Sequence, residues 1–170
     1  MHESVKEIHD EVENLPFSVA LAEGNLTHHQ KTAYLNNLWF IFQTLEHDIY
    51  RDLPHPDLHR CETIEQTLEE MGEELNGKWM TKGVEDYMFY ILGAEDYKEK
   101  WSAHVYLNYM ALMMGGQIVS KHNPEMVPLW DFDNRTECVN AIRELEWDWD
   151  QVYKGFTYHR RMLEELNNVG

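Results

Sequence analysis

With 170 residues the chain is long enough for one domain with a proper hydrophobic core. Its 31 acidic against 14 basic side chains, a formal net charge of −17, argue against nucleic acid or an anionic membrane surface as partner, because both select basic faces. No apolar run approaches the roughly 20 residues of a membrane span, residues 1–10 alternate charge and apolarity unlike a signal peptide, and Cys61 and Cys138 stand too far apart for a metal-type motif, which together point to a reduced, cytoplasmic setting.

From the N-terminus, Val5, Ile8, Val12 and Leu15 recur at helical spacing until Pro16 interrupts them. His9 stands beside that stripe, with Lys6 three residues before it and Glu13 four after, so the three share one helix face. A carboxylate one turn on can accept the Nδ1 proton, fix the tautomer and leave Nε2 for a metal. An ordinary salt-bridged face has the same pattern.

Residues 17–23 read as a short helix closed by Gly24, and Thr27 with Gln30 has the spacing of a capping box. A long amphipathic helix then runs to about Arg51, with Tyr34, Leu38, Phe42, Leu45 and Ile49 on one side; Pro54 and Pro56 end it. Further helices are predicted over 59–75, stopped by Asn76-Gly77, and over 81–92, stopped by Gly93.

The stretch 95–121 reads as the helix around which the chain is arranged, bent at Gly115-Gly116. Two glycines in mid-helix cost about 1 kcal/mol each relative to alanine, so something must compensate. The pair suits a kinked core helix packed on a neighbour, and it suits a flat cofactor pressed on bare backbone. Residues 122–133, with Pro124 and Pro128, read as a loop with an exposed Trp130, and two last helices follow over 134–145 and 148–167. No strand alternation, repeat or linker is visible. The expectation is one all-α domain over 1–170, with seven or eight helices and most of its ten histidines on the surface.

Two of these stretches together resemble the heme oxygenase family. Val5-Lys6-Glu7-Ile8-His9-Asp10-Glu11-Val12-Glu13-Asn14 is similar to that family's proximal helix, and Ala103 to Lys121, with its Gly-Gly-Gln, to the distal helix over the heme. Tyr34-Leu35 to Leu45-Glu46, the pair Asp86-Tyr87, and the run from Phe156 to Leu166 follow in the family's order. The resemblance implies a heme oxygenase-like multihelical fold with heme sandwiched between proximal and distal helices. It implies that heme is both substrate and cofactor, cleaved with O2 and electrons to biliverdin, iron and carbon monoxide. His9 would then be the axial iron ligand and Glu13 its hydrogen-bond acceptor. Lys6, Tyr106 and Arg143 would meet the propionates, and Phe156 and Leu112 would line the pocket. Gly115 and Gly116 would let the distal helix approach the iron, with Gln117 beside them. The electron donor would be a ferredoxin or a flavin reductase, and the acidic surface suits one with a basic docking face.

The chain departs from the family pattern on the distal side. The aspartate that orders a proton-delivering water chain falls on Leu112, the glycine before it on Ala111, and the serine after it on Met114. Other polar members of that network fall on Phe42, Asn108 and His159. His159 is the candidate replacement donor, with Gln117 the other side chain that could order the water; a surface histidine beside Arg160 and Arg161 is the plainer alternative. A heme carrier or sensor that does not cleave heme explains Leu112 better than an oxygenase does. A non-heme diiron oxidase would have to draw on Glu46, His47, Glu95, Asp96 and His104, without a Glu-x-x-His pair at helical spacing.

Overall fold

The computed structural model describes residues 1–47, 52–93 and 98–170, and among these every regular element is helical. Helix α1 (Glu3–Glu13) starts where the His2 imidazole accepts from the Ser4 N–H, and it buries Val5 and Ile8. Helix α2 (Pro16–Glu23) has proline in its first turn, where a missing N–H costs nothing, and ends on Gly24 at φ +75°. A side chain there would also collide with the carbonyl of His122, 2.5 Å from an ideal Cβ, so Gly24 seats the end of a neighbouring helix.

Helix α3 (His28–Glu46) opens with the predicted capping box: Thr27 accepts from the Gln30 N–H while the Gln30 side chain accepts from the Thr27 N–H. Ile49 and Arg51 of the predicted helix lie outside the described residues. Helix α4 (Cys61–Glu70) is shorter than the predicted 59–75, because Gly72 turns left-handed at φ +77° and ends the run early. Helix α5 (Lys82–Leu92) is capped by Thr81, and α6 (Lys98–His122) runs without interruption through Gly115-Gly116.

The predicted loop over 122–133 is instead a 3₁₀ turn (Pro124–Met126) leading into a one-turn helix α7 (Val127–Trp130). Trp130 is 7% exposed, against the expectation of an exposed ring. Its seat is Gly116: a Cβ there would stand 2.5 Å from the Trp130 Cβ. Helices α8 (Arg135–Arg143) and α9 (Trp149–Leu166) close the chain.

Helix α9 packs on α1, α2, α3, α5 and α6, while α6 packs on α2, α7, α8 and α9. The packing hub is therefore α9, and α6 lies beside it with one flank uncovered. The main core joins α3 to α6, α8 and α9; a smaller cluster of Val5, Ile8, Ala103, Leu107 and Val152 ties α1 to the first half of α6 and to α9. Arg60, 6% exposed, binds the far end together: its guanidinium donates to the carbonyls of Leu58, Pro128, Leu129 and Asp131 and lies 3.8 Å from the Phe132 ring centre.

Candidate functional site

Burial of Ile8 in the α1–α6–α9 seam leaves its neighbour His9 at the edge of that seam, with about a third of the side chain exposed. The His9 Nδ1 is 3.2 Å from Asp10 Oδ1 and 3.9 Å from Glu13 Oε2. Asp10, not the predicted Glu13, is thus the nearer acceptor, and Glu13 adds its charge from beyond hydrogen-bond range. Donation from Nδ1 places the lone pair on Nε2, the atom able to hold a metal. The Phe156 ring meets the imidazole edge-on at 5.9 Å, so α9 fixes the ring's attitude.

On α6 the exposed residues Ala111, Met114, Gly115 and Ile118 recur at helical spacing and form one open apolar strip. Met114 is 52% and Ile118 70% exposed, on a helix whose other faces are core. A Cβ at Gly115 meets nothing within 4 Å, whereas Gly116 is closed off by Trp130. The pair therefore divides its work: Gly116 is a packing glycine, and Gly115 alone belongs to the open strip. Gln117 is exposed just past the pair. Leu112 is 5% exposed within the main core, so it lies off the strip that it was expected to share.

Tyr106, one turn before Met110, stacks on Trp147 with ring centres 4.3 Å apart and meets Trp149 edge-on at 5.5 Å. Burial raises its hydroxyl pKa, and the positive charge of Arg143 pulls against that, so Arg143 and Tyr106 are electrostatic neighbours. Lys6 is exposed on α1, on the turn before His9.

Behind the strip runs a buried chain of hydrogen bonds between α5, α6 and α9. The His159 Nε2–H donates to Asn108 Oδ1 at 2.7 Å, and the Asn108 amide donates to the Tyr87 oxygen at 3.0 Å. The Tyr87 hydroxyl donates to His104 Nδ1 at 2.9 Å, and His104 Nε2–H faces Gln151 Oε1 at 3.4 Å, which also accepts from Tyr90 at 2.7 Å. Every donor in this series points the same way, which fixes both imidazoles as Nε2–H tautomers. Burial holds both histidines neutral, lowering each pKa from 6.5 to about 4. His159 is thus no surface residue beside its arginines: Arg160 pairs with Glu11 and Arg161 with Asp86, while the imidazole turns inward.

Sequence reasoning did not single out Tyr87, Tyr90, His104 or Gln151 as one network. The available signals were His104 and Asn108 one turn apart and Tyr87 with Tyr90 on the turn facing them. The ligands of a diiron site are not assembled among the described residues: Glu95 and Asp96 lie outside them, and His104 is bound to Tyr87 and Gln151. Glu46 and His47 instead adjoin Cys61, a grouping that the spacing of the two cysteines did not suggest.

The family model described as heme oxygenase matches residues 1–160. Heme oxygenase 1 of Gallus gallus is 26% identical over 71% of this chain and 45% of its own length. Heme oxygenase 2 of Macaca fascicularis is 27% identical over all of this chain and 65% of its own length. The chain therefore spans about half to two thirds of these curated relatives. Among solved structures, a heme oxygenase from Leptospira interrogans superposes with a TM-score of 0.82 at 18% identity, covering 96% of each chain. The heme complex of heme oxygenase-1 from the cyanobacterium Synechocystis gives 0.78 at 20% identity, covering 96% of this chain and 89% of that one. Both share the fold.

Proposed function

The chain belongs to the heme oxygenase family, and on that premise we propose that it takes heme between α1 and α6 and opens the ring with O2 and electrons from an external donor, giving biliverdin, iron and carbon monoxide. The observation that carries this reading is the exposed apolar strip of α6 around Gly115, where an added Cβ would meet nothing within 4 Å. A bare backbone carbon on an exposed apolar flank is what a planar, largely apolar ligand needs in order to lie close.

Heme, when bound, supplies the iron at which O2 is activated and the ring that is cleaved. The chain's residues do the rest. His9 presents Nε2 while Asp10 accepts its Nδ1 proton and the Glu13 charge adds to the effect, making the imidazole a stronger donor. Ala111, Met114, Gly115 and Ile118 give an apolar wall that keeps bulk water off the ring, with Gln117 at its end and the Phe156 edge steadying the opposite side. Lys6, Tyr106 and Arg143 meet the propionates with two cations and a hydroxyl.

Proton handling on the distal side falls to His159 and Asn108. Asn108 precedes Leu112 by one turn of α6, so the end of the buried chain lies beside the position where the family's aspartate would stand. His159, neutral and donating from Nε2, keeps Nδ1 as an acceptor for an ordered water.

A second reading, heme carriage or sensing without cleavage, is favoured by one observation: Leu112 is packed into the main core and offers no polar atom. Hemin titrated into the protein, followed by ascorbate under air, separates the two. Decay of the Soret band with growth of biliverdin absorbance is the expected result. A Soret band that persists through many equivalents of reductant overturns cleavage and leaves the carrier. His9→Ala should abolish tight hemin binding in both cases; an unchanged hemin spectrum in that variant overturns the ligand assignment.

A further inference from the structure

At the end of α3 and the start of α4 the fold gathers donors that heme chemistry does not use. Ligand atoms of Glu46, His47 and Cys61 all lie within 4.8 Å of one another. The Glu46 side chain is fully buried, whereas His47 is 52% exposed and opens the group to solvent. One carboxylate oxygen of Glu46 is saturated: Oε1 accepts from the Arg60 N–H at 2.6 Å and the Tyr109 hydroxyl at 2.8 Å. The other, Oε2, has a longer 3.3 Å bond from the Cys61 N–H and stands 3.9 Å from His47 Nε2. An oriented carboxylate with spare lone pairs facing an imidazole and a thiol is a preorganised ligand set.

A second imidazole stands by. The His59 ring centre is 6.3 Å from that of His47, and its Nδ1–H donates to the Pro56 carbonyl at 2.8 Å, which leaves the Nε2 lone pair unprotonated. Two imidazoles on one tetrahedral ion, at the usual metal–nitrogen length of about 2 Å, place their ring centres about 5 Å apart. His59 is exposed and stands about 1 Å beyond that spacing. Helix capping accounts for Glu46, whose carboxylate receives the first N–H groups of α4, but it does not call for two imidazoles beside that carboxylate.

We propose that Glu46, His47 and Cys61 form a binding site for a divalent transition metal of the zinc class, with His59 as the fourth ligand. The mixed thiol, imidazole and carboxylate set selects such ions over magnesium or calcium, which take oxygen ligands. Binding displaces the Cys61 thiol proton to solvent and changes no oxidation state. None of these four residues is among those proposed above to meet heme, so the site stands or falls independently of heme cleavage.

Cobalt(II) titrated into the full chain without heme tests it. The expected result is a thiolate-to-cobalt charge-transfer band in the near ultraviolet with strong four-coordinate d–d bands, saturating at one cobalt per chain and displaced by zinc. Cys61→Ser should remove the charge-transfer band. His47→Gln, on an exposed side chain that the fold does not need, should weaken binding about tenfold or more. His9→Ala should leave the spectrum unchanged, although His9, Asp10 and Glu13 form the other such group among the described residues. Absence of the charge-transfer band in the unsubstituted protein at excess cobalt, its survival in Cys61→Ser, undiminished affinity in His47→Gln, or its loss in His9→Ala each overturns the proposal.

Discussion

A single methyl group tells the two glycines of α6 apart. Alanine at 116 would put its Cβ 2.5–2.6 Å from Cβ, Cγ and Cδ1 of Trp130, atoms held at the root of a buried ring. Overpacking of that kind costs about 1–3 kcal/mol, more than the gain from removing a mid-helix glycine. Alanine at 115 meets open space, so it should stabilise the heme-free protein by up to about 1 kcal/mol. Denaturation midpoints of Gly115→Ala and Gly116→Ala without heme should move in opposite directions; equal shifts would refute the division of roles. Residue identity alone exposes a glycine pair, and nothing local to it distinguishes the member that seats a tryptophan. That tryptophan arrives from α7, 14 positions later.

Among elements, the crossing of α6 and α9 at Gly155 decides whether the buried chain of hydrogen bonds exists. A Cβ there would lie 2.3 Å from a Leu107 methyl, 3.1 Å from the Tyr87 hydroxyl and 3.3 Å from His104 Nδ1. The leucine methyl can turn aside, but the hydroxyl and the imidazole are tied to each other and to Asn108 and Gln151. Gly155→Val should therefore destabilise the protein by about 1–3 kcal/mol and loosen the Tyr87–His104 bond, seen as faster exchange of the His104 ring proton. Gly93→Ala is the control, because its Cβ would have ordinary contacts at 3.5 Å and should change stability by less than about 0.5 kcal/mol. Equal effects of the two substitutions would mean that the crossing is not close-packed. The helices themselves were legible: the capping box at Thr27, the Gly24 terminus and the stripe of Val5 and Ile8 appear as predicted. The loop predicted around Trp130 was not, because proline in a first helical turn is read as a breaker although it is compatible with one.

For the whole molecule, acid acts through two neutral histidines, the buried His104 and the half-buried His159. His104 and His159 titrate near 4 in the folded chain and near 6.5 when unfolded. The unfolded chain therefore takes up protons first as pH drops, so the stability these residues contribute is complete above about 6.5 and is lost towards about 4. Each accounts for on the order of 3 kcal/mol over that window. Protonation of carboxylates works the other way, by easing the repulsion of a chain with net charge −17. Comparing urea midpoints at pH 7 and pH 5 for the protein and for His159→Gln isolates the histidine contribution. The unsubstituted protein should lose more; parallel losses would show that His159 is not held neutral by burial.

The sequence by itself determined the helical class, the positions of most helix ends and the likeness of His9 and the glycine pair to a heme-binding frame. The first two follow from interactions between residues up to four apart, and the third from resemblance to the heme oxygenase family. Only the tertiary structure decided that α9 is the hub, that Asp10 stands nearer His9 than Glu13, that Leu112 is core while Gly115 is open, and that Cys61 meets Glu46 and His47. The reason is physical: a helix fixes which residues share a face, whereas the partner of that face is set by how helices pack across the core, with no local trace in the chain.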